Sequence, residues 1–284
     1  MPGENFTNTT PSRGGERTRY TAPGANAAKQ IIFVNGIMNT AAQHTQACKD
    51  IIQTTGCEVL GVYNQKGTEN IAVSRTLRTA FIFENLSFDL GQCINDQVGL
   101  LARGAVGYTG NTVNGCTASL LSLLLEWGHK WPCRPISIMA HSQGNLITSN
   151  ALMQYSALMS GRAKTNDPKL AALIAKGPVK IHVFAVASPA MSWPTNHFIS
   201  VHCYWHRYDP VTAASGFRNL RGTLQGNGTI TSWGFGHSLS TYLDDKLLID
   251  SVCNYMGTRP LPTAGSRAGS AMAGLGAAAL LHAK

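Results

Sequence analysis

The chain is short of charge, and of acid above all: only 13% of its 284 residues are charged, with 14 Asp and Glu against 23 Lys and Arg. Set beside a hydrophobic content of 44%, so little charge excludes a disordered chain and leaves a globular protein with a large core. Long apolar runs are missing too. Nothing approaches the ~20 consecutive apolar residues of a membrane span. The first 30 residues lack the apolar stretch of a secretory signal, so the expected location is the cytoplasm, or outside it by a non-classical export route. The seven cysteines form no C-x-x-C pair and no zinc-type spacing. With an odd count and several in apolar surroundings, they read as buried free thiols, disulfides being the lesser alternative. No phosphate-cradling loop or nucleotide fingerprint is present, the glycine-rich pieces near 222–228 being too short and misplaced to count, so neither a cofactor nor a metal is expected.

The net charge of +9 does not identify a nucleic-acid binder. Residues 1–29 contribute +2, residues 255–284 contribute +3, and everything between contributes +4. More than half of the excess therefore sits in the tails, with no dense basic run and no basic–aromatic interleaving. It reads as solubilising charge, with peripheral contact to an anionic lipid surface as the alternative partner.

What is present is an alternation of apolar runs and helix-like stretches. Residues 1–27 are polar and read as a disordered leader, and 258–284 as a Gly/Ala-rich flexible tail in which Ala268 to Ala283 could form a weak apolar helix. Between them, strands are expected at Gln30 to Asn35, Glu58 to Asn64, Pro135 to Ala140, Val179 to Ala187 and Phe198 to Trp205, with a short sixth at Ile230 to Trp233. Helices are expected at Thr40 to Thr54, closed by Gly56, at Phe81 to Leu101, Thr117 to Lys130, Ser142 to Ser160, and as one closing helix from Ser238 to Tyr255. Strands of near-continuous apolar character, alternating with helices, predict one α/β domain over 28–257. Its sheet is mostly parallel, with about six strands covered by helices on both faces.

The most informative segment joins the third strand to the helix after it: Ile136-Ser137-Ile138-Met139-Ala140-His141-Ser142-Gln143-Gly144-Asn145. A serine on a sharp strand-to-helix turn is pushed out where its hydroxyl can act as a nucleophile, and the tight turn requires small residues two places to either side, here Ala140 and Gly144. A turn serine without chemistry is the competing reading. A serine hydroxyl needs a base, and the base a carboxylate to orient it, both from the carboxyl ends of later strands. Asp209 stands just past the fifth strand, where Pro210 stops the strand, and no other acid lies between Asp167 and Asp244. An Asp-Pro turn is its plainer role. His237 lies in a glycine-rich loop, Gly234-Phe235-Gly236-His237, before a helix, while His182, His197, His202 and His206 lie in or beside strands and read as packing residues. His141 adjoins Ser142, but its side chain is expected to point away from it. The order Ser142, Asp209, His237 results. An oxyanion hole needs two N–H groups. The amide of Gln143 at the helix N-terminus is one. The other is assigned to the loop after the first strand, at Ile37 with Met38 behind it, where Gly36 lets the backbone turn.

With these pieces in place the chain resembles the lipase/esterase kind of α/β-hydrolase. The resemblance rests on the oxyanion loop Phe33-Val34-Asn35-Gly36-Ile37, the elbow Ala140-His141-Ser142-Gln143-Gly144, the acid motif Tyr208-Asp209-Pro210-Val211 and Gly236-His237-Ser238, and covers about residues 30–255. It departs from the common pattern where Asn35 stands for His and Ala140 for Gly. The resemblance implies hydrolysis of a carboxylic ester, lipid or other, through an acyl-enzyme. Two alternatives share the fold: an acyltransferase using the same triad, and a non-catalytic binding or effector protein. The connection from Ser188 to His197 is too short for a large lid, so a cap would have to come from 65–115 or 210–228.

Overall fold

The computed structural model of the protein describes residues 9–36, 39–65, 115–130, 134–162, 165–190, 192–194, 196–209 and 228–262. The strands are β1 (Arg17–Tyr20), β2 (Asn26–Val34), β3 (Cys57–Val62), β4 (Ile136–His141), β5 (Ile181–Val186), β6 (Ile199–Tyr208) and β7 (Gly228–Phe235). The helices are α1 (Ala41–Thr55), α2 (Gly115–Lys130), α3 (Gln143–Met159), α4 (Pro168–Ile174), α5 (Leu239–Leu243) and α6 (Lys246–Met256). All seven strands join one sheet in the order β1-β3-β2-β4-β5-β6-β7. Every pairing is parallel except β1 with β3. The α/β class and the mostly parallel sheet follow the sequence reading.

Alternation along the inner strands sends side chains to two cores. Ile32, Val34, Ile136, Ile138, Val183 and Ala185 meet α2 and α3 on one face. Ile31, Phe33, Val59, Met139, Phe184 and Val186 meet α1, α5 and α6 on the other. Strands β3, β4 and β5 are buried along their whole length, which is why they read as near-continuous apolar runs, broken only by Glu58, Ser137, His141 and His182.

The seventh strand corrects the sequence reading. Residues 17–20 lie within the segment expected to be a disordered leader, yet they pair antiparallel with β3, Arg17 opposite Val62 and Tyr20 opposite Val59. The reason is a short amphipathic alternation. Thr18 and Tyr20 are buried. Arg17 instead bonds Glu126 of α2 at 3.0 Å, and Arg19 reaches Glu58 of β3 through Nε at 2.9 Å. Partnered arginines on a short edge strand also blunt the edge against further pairing.

Helix boundaries follow local chemistry. Thr40 caps α1 through a reciprocal box: its Oγ1 accepts from the Gln43 amide at 3.2 Å, and Gln43 Oε1 accepts from the Thr40 amide at 2.8 Å. Gly56 ends α1 at φ 67, a left-handed conformation that glycine adopts without cost. A side chain there would also strike the Arg259 carbonyl at 2.2 Å. The single closing helix expected over 238–255 is instead two. α5 ends at Asp244, and Asp245 starts α6 by accepting from the Leu247 amide at 2.9 Å. Helix α4, capped by Asp167 with Pro168 in its first turn, occupies a segment for which no element was expected. The helix expected over Phe81 to Leu101, all but the end residues of the cap candidates 65–115 and 210–228, and the tail from 263 lie outside the described residues.

Cys48, Cys57, Cys116, Cys203 and Cys253 are buried thiols outside any disulfide, as expected of packing cysteines; Cys93 and Cys133 lie outside the described residues. Among the described residues, no helix is long and apolar enough to cross a membrane.

Candidate active site

Strand order determines where a site forms. The chain runs from β2 to β3 on one side, then crosses to β4 on the other, so the switch point lies at the carboxyl ends of β2 and β4. Ser142 follows β4 directly and Gly36 follows β2. The cavity of about 640 Å3 lined by Gly24, Asn26, Gly56, Cys253 and Arg259 lies at the opposite, amino ends of β2 and β3.

Ser142 is held in a strained backbone conformation, φ 53 and ψ −125, between the last residue of β4 and the first of α3. Non-glycine residues at positive φ cost free energy and persist only where their surroundings enforce them. Here the Ser142 amide donates to the Val186 carbonyl at 3.1 Å. The Asn145 side chain donates to the Ser142 and Val186 carbonyls at 3.1 and 2.8 Å. Gly144 is the small residue the turn needs: a Cβ there would lie 2.3 Å from the Val34 carbonyl oxygen and 2.9 Å from that of Asn35. Ala140, the other small position, is fully buried in β4 between Val34 and Ala185.

His237 brings the predicted partners together. Its Nε2 lies 2.7 Å from Ser142 Oγ. Its Nδ1 lies 2.8 and 3.0 Å from the two carboxylate oxygens of Asp209. Asp209 is fully buried, so its carboxylate, which can only accept when ionised, assigns the ring proton to Nδ1 and leaves Nε2 to accept from the serine hydroxyl. Gly236, at φ +94, supplies the left-handed backbone that turns the chain into His237.

The two sides of the expected oxyanion hole are placed unequally. Gln143 is the first residue of α3, with its amide at the positive end of the helix dipole. Ile37 and Met38 lie outside the described residues. Gly36 has a φ outside the left-handed region, and what requires glycine there is proximity. A Cβ there would sit 2.7 Å from Ser142 Cβ and 3.1 Å from the His141 carbonyl oxygen.

Sequence reasoning missed several supporting residues. Asn35 donates to the carbonyls of Asn64 and Gly36, both at 2.9 Å, and accepts from the Asn64 amide at 2.7 Å. Asn64 in turn donates to Gln143 Oε1 at 2.7 Å. This buried network ties the loop after β2 to the start of α3. The Asn in place of His at position 35 was the only visible sign of it. His141 points its ring at the backbone of the base: Nε2 lies 2.7 Å from the His237 carbonyl oxygen, which can only accept. Burial, followed by the neighbouring His237, pushes His141 down to about 4, so at neutral pH it is an uncharged donor. Tyr242 of α5 donates to Asp209 Oδ2 at 2.7 Å and accepts from the His206 amide at 3.0 Å. His182 is a packing residue, bonded to Ser200 at 2.8 Å and stacked on Tyr255.

No family model matches the chain, and no curated protein matches it. Several solved structures are similar in fold. A hormone-sensitive lipase from a metagenome library is 11% identical over 90% of this chain and 86% of its own, with a TM-score of 0.43. An alpha-beta serine hydrolase homologue from Coxiella burnetii is 11% identical over 90% of this chain and 98% of its own, with a TM-score of 0.41. Carboxyl esterase 2 from the fungus Tuber melanosporum is 10% identical over 86% and 82%, with a TM-score of 0.42.

Proposed function

We propose that the protein is a serine hydrolase of carboxylic esters, acting through an acyl-enzyme on Ser142. The observation that carries this reading is the continuous relay from Ser142 Oγ through His237 to the buried Asp209, with contacts of 2.7 and 2.8 Å.

Ser142 Oγ attacks the ester carbonyl while His237 Nε2 takes its proton, and Asp209 holds the ring in the right tautomer and stabilises the imidazolium. The oxyanion is received by the Gln143 amide and by the loop after β2, with Ile37 as the second donor. His237 returns its proton to the leaving alcohol, then takes one from the water that hydrolyses the acyl-enzyme. The relay needs no cofactor. The substrate is a small-molecule or lipid acyl ester.

A series of p-nitrophenyl esters from acetyl to long acyl chains tests the reading, run with the wild type and with an added alcohol acceptor. Activity that rises beyond acetyl and releases free acid is the expected result. Activity on acetyl alone would restrict the enzyme to small esters. Transfer of the acyl group to the alcohol in place of water would make it an acyltransferase on the same triad. Absence of turnover on every ester would overturn the hydrolase reading.

A further inference from the structure

The geometry points to Tyr242 as a positioning residue for the triad acid, one that sets the charge Asp209 presents to His237; the assignment rests on the reading of Ser142, His237 and Asp209 as a triad. Tyr242 is fully buried in α5, the short helix that follows the His237 loop. Its hydroxyl donates to Asp209 Oδ2 at 2.7 Å, the oxygen nearer His237 Nδ1. It is itself held by the His206 amide at 3.0 Å, and its ring lies flat on the His206 ring with centroids 3.7 Å apart and planes 7° from parallel. The phenol therefore has one orientation. A hydrogen bond to a carboxylate withdraws charge from the oxygen that receives it. Asp209 Oδ2 divides its charge between the phenol of Tyr242 and the imidazole of His237, and what the tyrosine takes the histidine loses.

The other titratable groups around the pair are His141, whose ring lies 5.1 Å from that of His237; His206, whose Nε2 is 3.3 Å from Asp245; and the exposed Arg207 and Tyr208 at the end of β6. Tyr242→Phe leaves all of these in place and removes one oxygen.

The sign follows from the charge. Without the phenol, Asp209 attracts a proton on His237 more strongly. The acid limb of the pH profile of kcat/KM, which reports the base of the free enzyme, should then move to higher pH by about half a unit. A looser carboxylate should also lower kcat by about tenfold, since a hydrogen bond to a charged group is among the stronger ones. Incorporating 3-fluorotyrosine at position 242 makes the phenol a better donor, and the acid limb should move the other way.

The experiment is the kcat/KM pH profile of wild type, Tyr242→Phe and the 3-fluorotyrosine protein on one p-nitrophenyl ester. Each profile is normalised to active sites titrated with a fluorophosphonate. Opposite displacements of the acid limb in the two variants support the assignment. A limb that stays at the wild-type position in either variant overturns it, whatever happens to thermal stability, because a purely structural tyrosine would change the active fraction and not the profile. Ser142→Ala, run in parallel, separates the two ideas. If that variant hydrolyses the ester as fast as wild type, the triad itself is wrong. If it is inactive and only the Tyr242 profiles coincide with wild type, the triad stands and the tyrosine assignment falls.

Discussion

Ser142→Ala, His237→Ala and the double variant should all lose about the same activity, on the order of six powers of ten in kcat, because members of a triad act as a unit. The geometry makes this the expected pattern. Nε2 of His237 has Ser142 Oγ as its partner at 2.7 Å, so the base has no proton to take once the hydroxyl is gone. The hydroxyl in turn has no route to ionisation once the imidazole is gone. Two independent contributions would multiply, and the double variant would then fall far below either single one. Steady-state kinetics on a p-nitrophenyl ester separate the cases. KM should change little, since neither group is needed to hold the acyl chain.

Gly144→Ala should be the most damaging single-methyl change available near the site. The added Cβ would meet two carbonyl oxygens, Val34 at 2.3 Å and Asn35 at 2.9 Å. Both belong to the backbone at the end of β2, which is locked between β3 and β4 and cannot swing aside like a side chain. Overpacking in a dense core typically costs roughly 1–3 kcal/mol. A backbone collision belongs at the upper end, about 3 kcal/mol, which for a domain of this size is a fall of roughly 10 °C in Tm. Gly128→Ala in α2 is the contrast: its Cβ would meet Val179 Cγ1 at an ordinary 3.4 Å, and alanine favours a helix over glycine. Thermal unfolding by circular dichroism should show a large fall for position 144 and almost none for 128. Similar melting of the two would mean that α3 is not pressed against β2 as described.

These positions also show what could be read from the chain alone. Helix α1 was legible at both ends because its cap residues, Thr40, Gln43 and Gly56, act within a few residues of one another. The β4–Ser142–α3 unit was legible for the same reason, being a continuous pattern of apolar strand, small-residue turn and helix. Asp209 and His237 could be proposed because few acids compete at that strand end and because glycine-rich loops stand out before helices; each needed only its own neighbourhood. The misses are interactions at long range. Arg17 to Tyr20 shows only four residues of alternation in a polar segment, and its partners Glu58 and Glu126 lie 39 and 109 residues away. The Asn35–Asn64–Gln143 network joins residues 29 and 79 apart, and nothing in the local sequence of Asn64 marks it. Gly36 stands out in the sequence as a turn residue, but the close approach of Ser142 that also demands glycine there is recorded by no local pattern. Tyr242 carries no local mark beyond its place in a helix-forming stretch, since its bond to Asp209 exists only after β6, β7 and α5 are assembled.

The central claim is that Ser142 is an activated nucleophile. Labelling with a fluorophosphonate probe, wild type beside Ser142→Ala, with the adduct mapped by mass spectrometry, tests it most directly. One phosphonyl adduct is expected, on Ser142, absent from the variant. A folded wild-type protein that takes up no label at Ser142 would contradict it.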